Sequence, residues 1–378
     1  MSLKDIFTFH NLYLAHLRCS FGKSGKKDVA LFSLNSSYEI IKIVDEFKRN
    51  KYEVSPYKTF YVYEPKERRI DASAYRDRVV QDCFVRNYLA PLLAPRLIYD
   101  NAACQVGKGT DFARKRLRAF LYEAYRRYDT FYVLSFDVRH YFESIDHNIL
   151  KQKLRKVVKE DDVYSFLNKV IDSYPVEGGE KGIPLGNQTS QWFALYYLDK
   201  LDRIIKEKHR MKYYSRYMDD GVVISDSKER LEALLGDLEK EMADLSLSFN
   251  AKKTRIYNVK QGITYLGFTY RVLPSGKIIA KMARKKKQRL LRYLKSYELD
   301  FDTVSSFYFY LLLRGDNKKL INKLGEKRKK LKPFKKEDAL LMKLLKEGSS
   351  YELASAIVKS LRRKSRIERE ERALLKGS

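Results

Sequence analysis

Tyr213-Tyr214-Ser215-Arg216-Tyr217-Met218-Asp219-Asp220-Gly221-Val222-Val223-Ile224-Ser225 sets two adjacent carboxylates between an aromatic run and a β-branched run. The pattern predicts a β-hairpin with Asp219 and Asp220 at its tip. At about 4 Å and an effective dielectric of ~20, two full charges repel by roughly 4 kcal/mol. A divalent cation offsets such repulsion, and Mg²⁺ prefers one or two carboxylates plus phosphate oxygens. The plain alternative is a polar turn with two solvated acids. The rest of the chain decides between them.

Working outward, residues 131–138 read as a buried strand that carries Asp137 near its end, roughly eighty residues before the hairpin. If the two strands are sheet neighbours, Asp137, Asp219 and Asp220 converge. Such a set can hold two Mg²⁺ ions (Mn²⁺ being the alternative), one at an attacking hydroxyl and one at a leaving pyrophosphate. The intervening sequence predicts a helix capped by Asp146, a helix over 161–173, a polar loop at 177–181 and an apolar helix from Trp192 to about Ile205. Upstream, helices are expected at 6–19 and 38–48 around a Gly/Ser/Lys loop at 22–28. A strand at 59–63 and helices at 77–88 and 111–127 follow. Downstream come an amphipathic helix over 228–246, strands at 255–257 and 263–272, and a turn at Pro274-Ser275-Gly276.

Composition points to a polyanionic partner. The 378 residues hold 77 Lys and Arg against 48 Asp and Glu, a net charge of +29, with 29 Tyr and 20 Phe for bases to stack on. Residues 271–378 contain 31 Lys and Arg against 12 Asp and Glu, so +19 of the excess lies there. Cys19, Cys83 and Cys104 are scattered and form no CxxC, and the five His show no metal-ligand spacing. Gly107-Lys108-Gly109-Thr110 lacks the spacing of a P-loop. No apolar run approaches the ~18 residues of a membrane span, so a cytoplasmic protein without membrane contact is expected.

Tyr217-Met218-Asp219-Asp220 resembles the Y-x-D-D motif of reverse transcriptases, and the other blocks of that family arrive in order. Phe136-Asp137 through Asp146-His147 resembles the first catalytic-Asp motif, and Gly182 to Gln191 resembles the template- and nucleotide-positioning motif. Asn250-Ala251-Lys252-Lys253-Thr254 and Thr264-Tyr265-Leu266-Gly267-Phe268 resemble the later palm motif and the primer grip. Glu64 to Ile70, with Arg76-Asp77-Arg78, looks like the fingers blocks of bacterial group II intron-like enzymes. The resemblance implies an α/β (α+β) right-hand polymerase fold, with fingers over 1–130, an antiparallel-sheet palm over 131–270, and a basic helical thumb and tail over 271–378.

Residue roles follow from the same resemblance. Asp137, Asp219 and Asp220 would be the metal-binding catalytic acids. Lys66 and Arg69 would grip the incoming triphosphate, and Leu185, Gly186, Gln191 and Met218 would surround the nucleotide. Phe142 resembles the steric gate against a 2′-hydroxyl, with a core aromatic as the alternative. Lys253 resembles the group that protonates pyrophosphate, with a surface lysine as the alternative. Arg76, Arg78, Tyr265, Leu266, Gly267, Lys285, Lys286 and Lys287 are expected to contact nucleic acid.

Leu185 before Gly186, with Ser190-Gln191 after it, is most similar to the reverse transcriptases of diversity-generating retroelements. Antiphage defence reverse transcriptases are close relatives. The implied partners are a structured template RNA, the cDNA product, deoxynucleoside triphosphates, and an accessory protein or a second copy of the chain. A catalytically silent RNA-binding scaffold is the non-enzymatic reading, disfavoured because clustered acids without a metal are destabilising.

Overall fold

Residues 213–225 form the expected hairpin in the computed structural model, and a four-stranded sheet is built around it. The structure describes residues 1–23, 25–63, 68–174, 180–296, 301–314 and 317–330. The chain divides into two compact units, Met1–Gln261 and Gly262–Ser378. Helices and antiparallel sheets make up both, which is the mixed architecture expected.

The first unit opens with helices α1 (Leu3–Ile6), α2 (Phe9–Ser20), α3 (Lys27–Leu34) and α4 (Ser36–Lys48). α3 was not expected, because Gly, Ser and Lys around it read as loop. Val29 and Phe32, both buried, supply the apolar face that stabilises it. A ribbon of β1 (Lys58–Val62) and β2 (Arg68–Ala72) follows, paired antiparallel with Phe60 opposite Ile70. β2 left no apolar alternation because β1, its partner, is exposed along its whole length. Next come α5 (Tyr75–Phe84), a π turn at Val85–Leu89, α6 (Ala90–Leu93) and α7 (Thr110–Arg127).

β3 (Tyr132–Asp137) leads to α8 (Tyr141–Ser144), α9 (His147–Arg155) and α10 (Asp161–Asp172). Asp146 caps α9 as expected, its carboxylate accepting from the amides of Asn148 and Ile149. α11 (Gln188–Tyr197) starts four residues before the expected Trp192, and α12 (Asp199–Arg203) and a π turn follow it. β4 (Tyr213–Tyr217) and β5 (Asp220–Ser225) are the hairpin, and α13 (Lys228–Asp244) and β6 (Arg255–Asn258) complete the unit.

The sheet order is β4-β5-β3-β6, with every neighbouring pair antiparallel. Leu134, Phe136, Tyr214 and Val223 from the sheet share one core with Phe193 and Tyr197 of α11 and Leu231, Leu234 and Leu238 of α13. Burial of side chains of this size contributes about 1.5–3 kcal/mol each.

The second unit holds β7 (Ile263–Tyr265), β8 (Phe268–Val272) and β9 (Ile278–Met282), then α14 (Arg284–Ser296), α15 (Phe301–Arg314) and α16 (Lys318–Lys330). Residues 263–272, expected as one strand, are instead a hairpin. Leu266 and Gly267 both take positive φ, 47° and 82°, the combination a two-residue type I′ turn requires. No described helix is long and apolar enough to cross a membrane.

Candidate active site

Strand register brings the acids together. β3 and β5 pair so that Asp137 lies directly opposite Asp220, a separation of about 4.5–5.5 Å between α-carbons in antiparallel sheets. β4 and β5 pair Tyr217 with Asp220, leaving Met218 and Asp219 as the whole loop. Asp219 therefore stands one residue beyond the Asp137–Asp220 pair.

A glycine holds this register. A β-carbon on Gly221 would sit 2.1 Å from Cζ of the Phe136 ring, far inside contact distance. Phe136 lies opposite Gly221 in the ladder, so the ring fills the space that a side chain would need. Gly221→Ala should therefore destabilise the chain by about 1–3 kcal/mol through overpacking, read as a lowered Tm. An unchanged Tm would show that the ring moves aside freely.

The tip is electrostatically loaded. Burial, then Asp219 and Asp137, push the Asp220 carboxyl up to about 8, with Lys253 opposing. Burial also raises Asp219 above the ordinary carboxylate range, and Asp137 adds to it. Asp137 has a cationic partner: Lys253 Nζ lies 2.6 Å from Oδ2. The turn that delivers this lysine is tied to the end of β3. The Asn250 amide donates to the Asp137 carbonyl at 2.7 Å, and its side-chain amide reaches Oδ1 at 3.4 Å. The Asn250 carbonyl then accepts from the amides of Lys253 and Thr254.

Among the described residues, no group of three or more His, Cys, Asp or Glu side chains is set to hold a metal ion by itself. Strand register does bring Asp137, Asp219 and Asp220 to one end of the sheet, as an acidic tip rather than a closed cage. Its hard carboxylate oxygens fit a divalent cation of the kind that completes its shell with water and substrate phosphate rather than with protein alone.

Phe142 is half-buried on α8 with its ring edge-on to Tyr141 at 5.7 Å. Its carbonyl accepts from the Ile183 amide at 2.9 Å, joining α8 to the loop that carries Leu185 and Gly186. Gly186 has φ of 99°, and a β-carbon there would meet nothing within 4 Å. Conformation, not crowding, selects glycine there, and the backbone is open to a ligand. Gln191 is half-buried on α11.

The other expected contacts are more scattered. Lys66 lies outside the described residues. Arg69 Nε is 3.2 Å from Asp71, a buried acid that also accepts from Thr59 and Tyr174. Arg76 is paired with Glu46, and Arg78 Nη2 is 2.6 Å from Asp28. In the second unit, Tyr265 is buried beside the Leu266-Gly267 turn, and Lys285 and Lys287 are exposed on α14. Lys286 is turned inward, its Nζ donating to the Tyr310 hydroxyl at 2.8 Å.

Sequence reasoning missed the support beneath the hairpin. Arg216 is completely buried and pairs with buried Asp202 of α12 at 2.6 Å. The signal was present: a charged residue in an aromatic strand and an acid in an apolar helix each need a partner.

Residues 95–270 match the family model described as reverse transcriptase (RNA-dependent DNA polymerase). That span contains Asp137, Asp219, Asp220 and Lys253, and excludes the residues before 95 and the basic helices after β9. A curated relative, the "Putative COX1/OXI3 intron 2 protein" of Saccharomyces cerevisiae, is 22% identical, covering 69% of this chain. This chain spans only 37% of that protein's length. Among solved structures, apo telomerase from Candida tropicalis has a TM-score of 0.47 at 15% identity, over 74% of this chain and 57% of that one. Telomerase from Candida albicans with a fragment of telomeric RNA has a TM-score of 0.44 at 12% identity, over 69% and 53%. From residue 95 to residue 270, then, this chain is similar to the reverse transcriptase family.

Proposed function

We propose that this chain is an RNA-directed DNA polymerase, acting in the cytoplasm to copy a structured RNA into cDNA, within a diversity-generating retroelement. The observation that carries the reading is the Asp137–Asp220 register with Asp219 at the adjoining turn, inside the segment similar to reverse transcriptases. The retroelement assignment rests on Leu185, Ser190 and Gln191. Fingers, palm and thumb take residues 1–130, 131–270 and 271–378.

In this reading Asp137, Asp219 and Asp220 would hold the divalent ions, whose chemistry there is Lewis-acid stabilisation of phosphoryl oxygens. Lys253 is within reach to transfer from Asp137 to a phosphate oxygen and to supply a proton to the leaving group. Lys66 and Arg69 would engage the triphosphate, with Arg69 exchanging Asp71 for phosphate. Lys285, Lys287 and their basic neighbours would neutralise template and product backbone. An accessory protein or a second copy would complete the assembly.

The test is primer extension by the purified chain on RNA and on DNA templates, with Mg²⁺ and with chelator. Metal-dependent incorporation of deoxynucleotides on RNA supports the reading, and its absence on every template would overturn it. Sequencing the cDNA made on co-purifying RNA then identifies the template. Phe142→Ala should raise ribonucleotide use relative to deoxynucleotide use by at least about tenfold in kcat/KM. Unchanged sugar discrimination would leave Phe142 a packing residue.

A further inference from the structure

The hairpin tip is held from beneath by a buried ion pair that nucleotidyl transfer does not itself require. The Arg216 Nε and Nη2 donate to the two oxygens of Asp202 at 2.7 and 2.6 Å. Nη1 donates to the Met218 carbonyl at 2.7 Å, and Nη2 also reaches the Leu195 carbonyl of α11 at 3.1 Å. Tyr214 donates its hydroxyl to Asp202 at 2.6 Å. The strand itself is anchored through the Arg216 backbone, which accepts from the Ala102 amide and donates to the Asp100 carbonyl.

Together these bonds tie the guanidinium to three elements. They are α12, α11 and the first residue of the loop that carries Asp219. Met218 sits at φ of 57°, a conformation in which a side-chain-bearing residue is strained and persists only when its surroundings fix it. The guanidinium bond to its carbonyl is such a constraint. Burying an ion pair is not by itself a gain in stability, since apolar side chains of like volume serve a core as well or better. Its three-way geometry is what apolar packing cannot reproduce, and neither can the single ammonium of a lysine.

We propose that Arg216 is a positioning residue that fixes the Met218-Asp219 turn and couples it to α11, the helix that follows Leu185 and Gly186. The proposal rests on the polymerase reading above for its kinetic consequence, though not for its structural one. Arg216 touches no reacting group. It acts through the Met218 carbonyl, setting where Asp219 stands relative to Asp137.

Two variants of the full chain test this: Arg216→Lys, and the double replacement Arg216→Met with Asp202→Leu. Misplacement of a reacting group by about 1 Å slows chemistry on the order of 10²-fold. Arg216→Lys should therefore lower kcat by that order, with nucleotide KM and RNA affinity unchanged. Amide hydrogen exchange in the peptide spanning residues 217–221 should quicken. The double variant, with both charges gone, should melt no lower than Arg216→Lys, and yet remain slow in kcat and fast in exchange. A purely structural pair would instead recover activity as stability recovers, and that outcome overturns the proposal. So would Arg216→Lys with kcat and exchange at wild-type values. Should Arg216→Lys fail to fold, the double variant decides alone. If the wild type incorporates no deoxynucleotide but exchange quickens in the variants, the positioning role stands and the polymerase reading falls.

Discussion

Asp219→Ala should lower RNA-templated deoxynucleotide incorporation on the order of 10³-fold or more, while RNA affinity stays at the wild-type value. The size of the loss reflects what stands at the loop. Asp219 is one of two residues in a turn closed by the Tyr217–Asp220 pair, so no neighbouring side chain can take its position. Removing a carboxylate from a divalent-ion site removes charge stabilisation that develops in the transition state, where electrostatic effects are largest. RNA affinity is expected to come from the distributed basic surface, including exposed Lys285 and Lys287, and so is insensitive to the tip. Single-turnover extension with a saturating nucleotide, alongside filter binding of RNA, measures both quantities. Wild-type rates in Asp219→Ala would remove the acidic tip from the chemistry.

In chelator, the melting temperature should fall as pH rises from 5 to 8, and added Mg²⁺ should reverse the fall most strongly at the upper end. The sign follows from Asp220. Its carboxyl is pushed from 3.8 up to about 8, so between those values the folded state holds a proton that the unfolded chain has released. Stability then declines with rising pH and is fully lost from this group above the folded value. Bound cation substitutes for the proton, so its stabilising effect grows across the same window.

Asp219, raised by burial in the same direction, adds to this trend, whereas the strongly shifted carboxylates elsewhere do not mimic it. Hydrogen bonds from Tyr88 and the N-terminus hold Glu160 down at about 2, and hydrogen bonds from Lys208 and His209 hold Asp237 there too. Their contribution is lost only as pH falls toward 2. Burial lowers His16, which works in the opposite direction near neutrality. Comparing the wild type with Asp220→Asn cancels these contributions. Identical pH slopes in the two proteins, both in chelator, would refute the assignment.

The hairpin was legible because two independent signals coincide in residues 213–225: strand-forming side chains on both flanks and acids at the only two-residue break. The strand bearing Asp137 was legible for a similar reason, since a buried central strand writes a continuous apolar run. β2 was not, because its partner β1 is exposed throughout and its own buried side chain, Asp71, is charged and so writes no apolar pattern. α3 was hidden by Gly, Ser and Lys on its N-terminal side, where only Val29 and Phe32 betray a buried face. Residues 263–272 concealed a turn at Leu266, because a bulky aliphatic residue at positive φ is a rare choice there. At the site, residue types were readable and pairings were not. Lys253 on Asp137, and Arg216 on Asp202, join positions 116 and 14 residues apart, a relation that only folding creates.

The contact between Phe136 and Gly221 makes tolerance to substitution uneven across three consecutive positions. A one-residue slip of β5 against β3 would bring a side chain into the space the ring occupies and turn the alternating faces over. Sliding is thus barred by volume, and the acids inherit their alignment from an aromatic ring instead of from one another. In a saturation mutational scan read by activity, Asp219, Asp220 and Gly221 would all score as intolerant. Read by abundance in the cell, the acids would be well tolerated and Gly221 would not.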